Sequence, residues 1–340
     1  MANIGIDLGT SHTLIYVAGK GIVFNESSAI AVDERNNSII AYGDRAEEML
    51  GRTPPSIRVI KPLSTGVISD FVSAKSFIDL ILSKFIKHRY FKPIQVVIGV
   101  PSRISGAEYK ALQDALNTSK ISRVYSVQEP VAAAIGSGLN FADPRGCLVI
   151  DIGAGTCDIA LLSLGRVVNS RSLKVGGDAF VASFINYLAN ELRLNVGFKT
   201  AEEFLKQNGQ AFIKKTEGAF IQGVDMSLGL PVNFEVKPEV TLEAIKESIS
   251  LIIGELKRLL DSVPPDLAAD ALIDGIHLTG GGSLLSGLPE LITQSTGIPC
   301  RYVQEPITSV VTGCGLIVED LEKYKFVLED ISIELSGSGQ

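Results

Sequence analysis

The segment NIGIDLGTSHTLIYVAG, residues 3–19, reads as an apolar strand, a short turn of small residues and a second apolar strand. The same arrangement returns in VIDIGAGTCDIALLSLG, residues 149–165. Each copy carries an aspartate two residues before the first glycine of its turn, and these aspartates, Asp7 and Asp151, stand 144 positions apart. Because helical and strand–turn–helix patterns follow both copies, the repeat predicts an internally duplicated α/β fold.

The bulk composition limits the class of protein. The chain has 340 residues, of which 46% are apolar and 20% charged. Because 340 residues are too many for one ordinary hydrophobic core, we expect two lobes. A net charge of −7 argues against nucleic acid as a partner, since phosphate binding requires a basic surface. The four cysteines form no C-x-x-C pair and no signal peptide is apparent, which predicts reduced thiols in a cytoplasmic protein.

Local patterns predict several elements directly. Ser105 followed by Glu108 forms a capping box at a helix start, and Asp44 is expected to cap a short helix that ends near Gly51. A long amphipathic helix is expected over residues 241–261, before Pro264 and Pro265. The polar C-terminal residues 326–340 are expected to form a mobile tail.

The two turns suggest phosphate binding. A tight turn rich in Gly and Thr can present backbone N–H groups as a concave anion site, and two such turns facing each other would hold a polyphosphate. A third segment, Thr279-Gly280-Gly281-Gly282-Ser283, lies between a strand and a helix, where glycine permits close approach of a ligand. Asp7 and Asp151 would repel phosphate and therefore suit a hydrated Mg²⁺. No P-loop motif is present, and Asp158 occupies the position where a dinucleotide fingerprint needs its last glycine.

The order of these motifs resembles that of the actin-like ATPases. The motifs are the Asp7 turn, QEPVAAAIGSGL (128–139), the Asp151 turn, Gly-Gly-Asp (176–178) and LTGGGSLL (278–285). GTSHTLIYVAGKGIVFNESS (9–28) and VVIGVPS (96–102) are similar to the MreB family of bacterial actins. The resemblance implies an α/β, duplicated actin-like (ribonuclease H-like) fold, with two lobes of two subdomains each around a nucleotide cleft. The implied subdomains are 1–32 with 66–140 (IA), 33–65 (IB), 141–178 with 241–325 (IIA) and 179–240 (IIB).

The resemblance also implies roles for individual residues. Glu129 would orient the attacking water and Thr156 would hold that glutamate, while Asp7 and Asp151 would contact Mg²⁺ through water. His12, Ala154, Cys157 and Gln207 depart from the usual residues of the family at their positions. The residues implied to bind ATP are Thr10, Ser11, His12, Gly153, Gly155, Thr156, Cys157, Gly177, Asp178, Lys206, Gln207, Gly280, Gly281, Gly282 and Ser283.

The implied function is that of a slow ATPase which polymerises into membrane-associated filaments that determine cell shape. Its partners would be further copies of itself, in protofilaments and paired protofilaments, cell-shape paralogues and the inner face of the cytoplasmic membrane. Tyr90 and Phe91, flanked by cations, are either a cap over the core or a membrane anchor. The alternative function is a monomeric actin-fold ATPase, either a sugar or carboxylate kinase or a chaperone-type nucleotide domain.

Overall fold

The protein divides into two compact units along the chain. A computed structural model describes residues 3–85, 94–117 and 121–332. Unit 1 comprises Met1–Asn140 and Thr308–Gln340, and unit 2 comprises Phe141–Ile307. Residues 308–325, which we assigned to the second lobe, therefore belong to unit 1.

Unit 1 contains eleven of the strands and six of the α-helices formed by the described residues. Its strands are β1 (Ile4–Leu8), β2 (His12–Val17), β3 (Gly21–Ser27), β4 (Ile30–Asp33), β5 (Ser38–Tyr42), β6 (Ile57–Ile60), β7 (Leu63–Ser64), β8 (Val67–Ile68), β9 (Ile94–Val100), β10 (Ile121–Gln128) and β19 (Glu329–Asp330). Its helices are α1 (Asp44–Glu47), α2 (Phe71–Phe85), α3 (Gly106–Leu116), α4 (Glu129–Gly136), α10 (Ser309–Glu319) and α11 (Leu321–Tyr324).

The main sheet of unit 1 has the order β19-β10-β9-β1-β2-β3. β1 runs antiparallel to β2 and parallel to β9, so the first hairpin lies inside the sheet. α10 packs against β1 and against α4. The two helices approach so closely that a Cβ at Gly313 would lie 1.9 Å from the Ala132 carbonyl oxygen. This contact explains why residues from Thr308 onward belong to unit 1.

The end of the chain is ordered further than the sequence predicted. β19 pairs with β10, with Asp330 opposite Tyr125, and the Ile331 amide donates to the Val124 carbonyl at 2.9 Å. The Ile331 side chain is 2% exposed and belongs to the unit 1 core. The predicted mobile tail from residue 326 is therefore wrong up to Ser332; residues 333–340 lie outside the described residues.

Unit 2 repeats the plan of a central sheet covered by helices. Its strands are β11 (Cys147–Ile152), β12 (Cys157–Ser163), β13 (Arg166–Leu173), β14 (Leu194–Asn195), β15 (Ala219–Asp225), β16 (Leu230–Val236), β17 (Ile276–Thr279) and β18 (Cys300–Tyr302). Its helices are α5 (Gly177–Leu192), α6 (Phe198–Asn208), α7 (Pro238–Asp261), α8 (Pro265–Asp274) and α9 (Leu288–Thr296). The main sheet has the order β13-β12-β11-β17-β18, and β14-β15-β16 form a second, smaller sheet.

The local predictions had different outcomes. The capping box is confirmed: Glu108 N–H donates to Ser105 Oγ, and Ser105 N–H donates to the Glu108 carboxylate. The long helix is confirmed and begins three residues earlier, at Pro238. Asp44 is not a cap, because Gly43 precedes α1 and the Asp44 carboxylate accepts from the amide and hydroxyl of Ser27 instead. Within the described ranges, no helix combines the length and apolarity needed to cross a bilayer.

Candidate functional site

The turn of the first hairpin is closed by one backbone hydrogen bond. The Gly9 amide donates to the His12 carbonyl at 3.0 Å, which leaves Thr10 and Ser11 at the centre of the turn. Among the described residues, the amides of these two donate to no acceptor. Since a backbone N–H without a partner costs free energy when it is shielded from water, such a turn favours a ligand with acceptor oxygens.

Residues outside the turn fix its shape. Ser28, at the end of the next strand, donates its hydroxyl to the Gly9 carbonyl at 2.7 Å and its amide to the Ser11 carbonyl at 2.8 Å. Thr10 Oγ1 accepts from the Gly66 amide at 2.8 Å, and the Ser11 hydroxyl contacts His12 Nδ1 at 3.0 Å. Sequence reasoning missed Ser28 and Gly66, because neither belongs to the repeated motif.

Two of the predicted carboxylates of unit 1 surround one buried thiol. Burial raises the pKa of the Asp7 carboxyl to about 7. Burial, and next the charges of Asp7 and Glu129, raise the pKa of the Cys314 thiol well above its usual range. Glu129 starts α4, and a Cβ at Gly99 would lie 3.5 Å from its Cγ. Both carboxylates therefore act electrostatically on Cys314 of α10, a residue that no sequence motif indicated.

The turn of the second hairpin repeats the first in unit 2. The Gly153 amide donates to the Thr156 carbonyl at 2.9 Å, the counterpart of the Gly9–His12 bond. The carbonyls of Gly153 and Ala154 accept from the Gly177 and Asp178 amides at 3.0 and 2.8 Å, so the N-terminus of α5 holds the turn. In the described part of the chain, the amides of Ala154 and Gly155 donate to no acceptor.

Three glycine segments meet at this second turn, and packing within the protein requires glycine at three of their positions, Gly176, Gly280 and Gly282. A Cβ at Gly176 would lie 2.5 Å from the Ala154 carbonyl oxygen, and one at Gly282 would lie 2.8 Å from that of Gly153. Gly280 has a φ of +81°, and a Cβ there would lie 2.4 Å from Asp151 Oδ1. At Gly281, by contrast, a Cβ would meet no atom within 4 Å. Packing within the protein therefore already requires glycine at Gly280 and Gly282, and the contact of Gly280, Gly281 and Gly282 with ATP stays a prediction.

The element after Gly280 also differs from the prediction. Gly281–Leu284 form a 3-10 turn, and the α-helix begins only at Leu288. The Ser283 hydroxyl donates to the Gly280 carbonyl at 2.7 Å and is buried, so it closes this turn. The α-helix that begins at one of the three glycine segments is α5, which starts at Gly177. Its N-terminus is a favourable position for a negatively charged group.

Lys206 and Gln207 lie in the last turn of α6, and the residues that follow them contact the segment after the 3-10 turn. Gly209 packs on Leu285, and the Ala211 amide donates to the Ser286 carbonyl at 2.7 Å, which joins α6 to the 3-10 turn. Lys206 pairs with Glu202 at 2.6 Å on the exposed face of the helix. Gln207 lines a cavity of about 60 Å³ together with Ser286 and Thr241.

Cys157, one of the residues implied to bind ATP, has a fully buried side chain. Its side chain is 0% exposed in the core of unit 2, and burial raises the pKa of its thiol well above the usual range. Because the side chain is enclosed by protein, only the backbone of Cys157 remains as a contact. Tyr90 and Phe91, the predicted membrane residues, lie outside the described residues.

Comparison with known proteins gives the family. The family model described as MreB/Mbl protein matches residues 1–326. The chain belongs to the MreB/Mbl family. It is 38% identical over 323 residues to the cell shape-determining protein Mbl of Bacillus subtilis, covering 94% of this chain and 97% of that protein. It is 35% identical over 331 residues to the cell shape-determining protein MreB of Escherichia coli K12, covering 95% and 94%.

Solved structures of this MreB/Mbl-like fold agree. The crystal structure of MreB 5 of Spiroplasma citri bound to AMPPNP is 32% identical, with a TM-score of 0.89 over 95% of this chain and 97% of that one. The same Spiroplasma protein has also been crystallised bound to ADP. The MamK double helical filament, at 24% identity, shares the fold with a TM-score of 0.80. The predicted actin-like fold is confirmed, and the chain is an actin-like protein whose named relatives determine cell shape.

Proposed function

We propose that this protein binds ATP with Mg²⁺, hydrolyses it slowly and polymerises into membrane-associated filaments that determine cell shape. The observation that carries the proposal is the recurrence of one turn in both units, each with two central amides that donate to no described acceptor. The nucleotide-bound Spiroplasma relative and the cell-shape names of the curated relatives support it.

The residues present fit a polyphosphate and a cation. Thr10 and Ser11 in unit 1, and Ala154 and Gly155 in unit 2, offer backbone donors of the kind that phosphate oxygens accept. In unit 2 the N-terminus of α5 adds the positive end of a helix dipole behind the turn. The Asp7 carboxyl, whose pKa burial raises to about 7, becomes an anion more readily beside a divalent cation.

The resemblance to the actin-like ATPases implies the remaining roles. When bound, ATP would supply the phosphoryl group, and Mg²⁺ would neutralise its charge. Glu129 would orient water for in-line attack, and Thr156 would assist that glutamate. Asp7 and Asp151 would hold the cation through water. Glu129 is suited to its role because it is held at the start of α4, on a helix that α10 fixes through close backbone contact.

The test is phosphate release from the Glu129→Gln protein. We expect turnover to fall about a hundredfold, because positioning a proton acceptor contributes on that scale, while binding of a fluorescent ATP analogue stays within a factor of two or so. Glu239→Gln is the matched control, since Glu239, like Glu129, is an acid beside a proline in the first turn of a helix. Undiminished release from Glu129→Gln would refute the assignment.

Sedimentation in the same tubes tests polymerisation. Protein that pellets on addition of ATP and Mg²⁺ is filamentous, whereas the monomeric kinase or chaperone-type alternative stays in the supernatant. The names of the relatives favour the filament. A parent protein that remains monomeric with ATP at all concentrations would refute the filament proposal.

A further inference from the structure

Three side chains of unit 1 converge over Gly99, a residue of β9. A Cβ at Gly99 would lie 2.9 Å from Val310 Cγ1, 3.5 Å from Glu129 Cγ and 3.8 Å from Cys314 Sγ. Val310 and Cys314 stand four residues apart on α10, so they lie on the same face of that helix. We call the space that the three side chains share the Gly99 niche. Within it, the glutamate proposed to orient water is flanked by two side chains of α10.

Close backbone packing fixes the helix that carries Val310 and Cys314. A Cβ at Gly5 on β1 would lie 2.6 Å from the Gly315 amide nitrogen and 3.0 Å from Cys314 Cβ. α10 also packs on α4, the helix that begins with Glu129. Because both neighbours approach its backbone closely, α10 cannot shift without disturbing them, and its side chains keep a fixed position beside Glu129.

Burial restricts the two α10 side chains as well. Val310 is 6% exposed and Cys314 is 0% exposed. Burial, and next the charges of Asp7 and Glu129, raise the pKa of the Cys314 thiol well above its usual range, so the thiol stays neutral. A neutral thiol packs like a small apolar group and adds no negative charge that would repel the Glu129 carboxylate.

The Gly99 niche has no space for a further methyl group. The 2.9 Å between a Cβ at Gly99 and Val310 Cγ1 is shorter than the contact distance of two carbon atoms, about 3.5–4.0 Å. Conversely, loss of the Val310 methyl groups or of the Cys314 sulfur would leave a gap beside Glu129. A glutamate beside a gap gains rotamers, and a carboxylate in the wrong rotamer does not orient water.

We propose that Val310 and Cys314 are positioning residues, which hold the Glu129 side chain in the conformation that serves hydrolysis. Both act through Glu129 and not on ATP or Mg²⁺. The inference rests on the role proposed for Glu129 and extends it to α10, a helix outside the repeated hairpins and the glycine segments. It predicts that α10 governs the rate of hydrolysis and not the affinity for ATP.

Phosphate release from Cys314→Ala and Val310→Ala at saturating ATP tests the proposal. We expect each variant to turn over about tenfold more slowly than the parent, because a misplacement of about 1 Å costs up to a hundredfold and a smaller one is expected here. Binding of the fluorescent ATP analogue should stay within about a factor of two, since neither side chain contacts the nucleotide.

Two matched variants serve as controls. Val318→Ala truncates a buried valine at the other end of α10, and Cys147→Ala truncates a buried thiol of unit 2. Both lie outside the Gly99 niche, so we expect the turnover of the parent from each. If Val310→Ala fails to fold, Cys314→Ala, which removes a single heavy atom, decides the outcome.

Two further measurements separate positioning from a general loss of structure. In the Glu129→Gln protein, Cys314→Ala should change turnover by less than about twofold, because the carboxylate that Cys314 positions is already absent. The pair Gly99→Ala, Val310→Ala places a methyl group close to the position of the one removed. It should therefore recover about half or more of the parent's turnover.

The outcomes distinguish this inference from the proposed function. Parent-like turnover of both Cys314→Ala and Val310→Ala would overturn the positioning role and leave the role of Glu129 intact. Equal losses with and without the Glu129 carboxylate would show that the two side chains support the fold alone, which also contradicts the inference. If Glu129→Gln itself turns over like the parent, the role proposed for Glu129 fails, and the inference fails with it.

Discussion

At the scale of single residues, the sequence indicated candidate groups but not their surroundings. Asp7 and Glu129 stand out from their motifs, yet both act electrostatically on Cys314, which follows Glu129 by 314 − 129 = 185 residues and Asp7 by 314 − 7 = 307 residues. The sequence around Asp7 and Glu129 gives no indication of so distant a residue. The same holds for Ser28, whose two hydrogen bonds shape the first turn from outside it.

The half-buried Asp7 makes stability depend on pH. Its pKa is about 7 in the folded protein against 3.8 for an ordinary aspartate, so the folded state holds a proton that the unfolded chain releases. The stabilising effect is complete below pH 4 or so and is lost as pH rises through about 7. The unfolding free energy without nucleotide should therefore fall by up to ~4 kcal/mol across this window.

Urea unfolding at pH 5 and pH 8 measures this dependence. Asp7→Asn should remove most of the difference and be more stable than the parent at pH 8, because an amide stays neutral. Asp79→Asn, at an exposed position on α2 of the same unit, should keep the parent's pH dependence. If the unfolding free energy of Asp7→Asn differs between pH 5 and pH 8 as much as that of the parent, Asp7 does not hold the proton.

At the scale of elements, contact between α4 and α10 decides how unit 1 is completed. Gly136 and Gly313 face the partner helix at distances that exclude any side chain: a Cβ at Gly136 would lie 1.9 Å from the Ser309 carbonyl oxygen. The contact anchors Glu129 at the start of α4. Each of these glycines can be read from the sequence, but no sequence pattern shows that the two pack against each other's helix.

The same substitution should have opposite effects in two helices. Gly313→Ala should destabilise the protein by more than ~2 kcal/mol, because the backbone of α4 must move away. Gly254→Ala, inside α7, should stabilise it by about 0.5–1 kcal/mol, since a Cβ there meets no atom within 4 Å and alanine favours the helix. Thermal unfolding of both variants measures these effects. Equal shifts of the two melting temperatures would contradict the packing argument.

At the scale of the whole molecule, membrane association should depend on polymerisation. Two aromatic side chains contribute roughly 3–6 kcal/mol before the costs of binding, which gives weak attachment for a single subunit. A filament repeats the same side chains many times and gains avidity without a new contact. Tyr90 and Phe91 are the residues that we predict to provide this attachment.

Vesicle flotation checks this prediction. The parent should float with vesicles above the protein concentration at which it polymerises and stay behind below it. A Tyr90→Ser, Phe91→Ser double variant should polymerise normally but lose most of its flotation. Tyr302→Ser, which removes an exposed aromatic from unit 2, serves as the control. Equal flotation of monomer and polymer would count against avidity.

The sequence by itself determined the duplication, the two hairpin turns and the Ser105 capping box, because each depends on residues close together in the chain. Asp44 shows the limit of this reasoning. Its local pattern suits a helix cap, but its carboxylate accepts hydrogen bonds from Ser27 on a neighbouring strand. A partner distant in sequence can replace a local one whenever the fold brings it nearer.

Only the tertiary structure decided where the chain end belongs, which glycines serve packing and which surfaces remain uncovered. Residues 308–332 return to unit 1 because α10 packs on α4 and β19 pairs with β10. Cys157, directly after one hairpin turn, is enclosed, whereas Leu228, within another hairpin turn, is exposed. Burial results from packing between segments that are far apart in the chain. A local sequence pattern shows only which secondary structure each segment prefers, not which other segments will cover it.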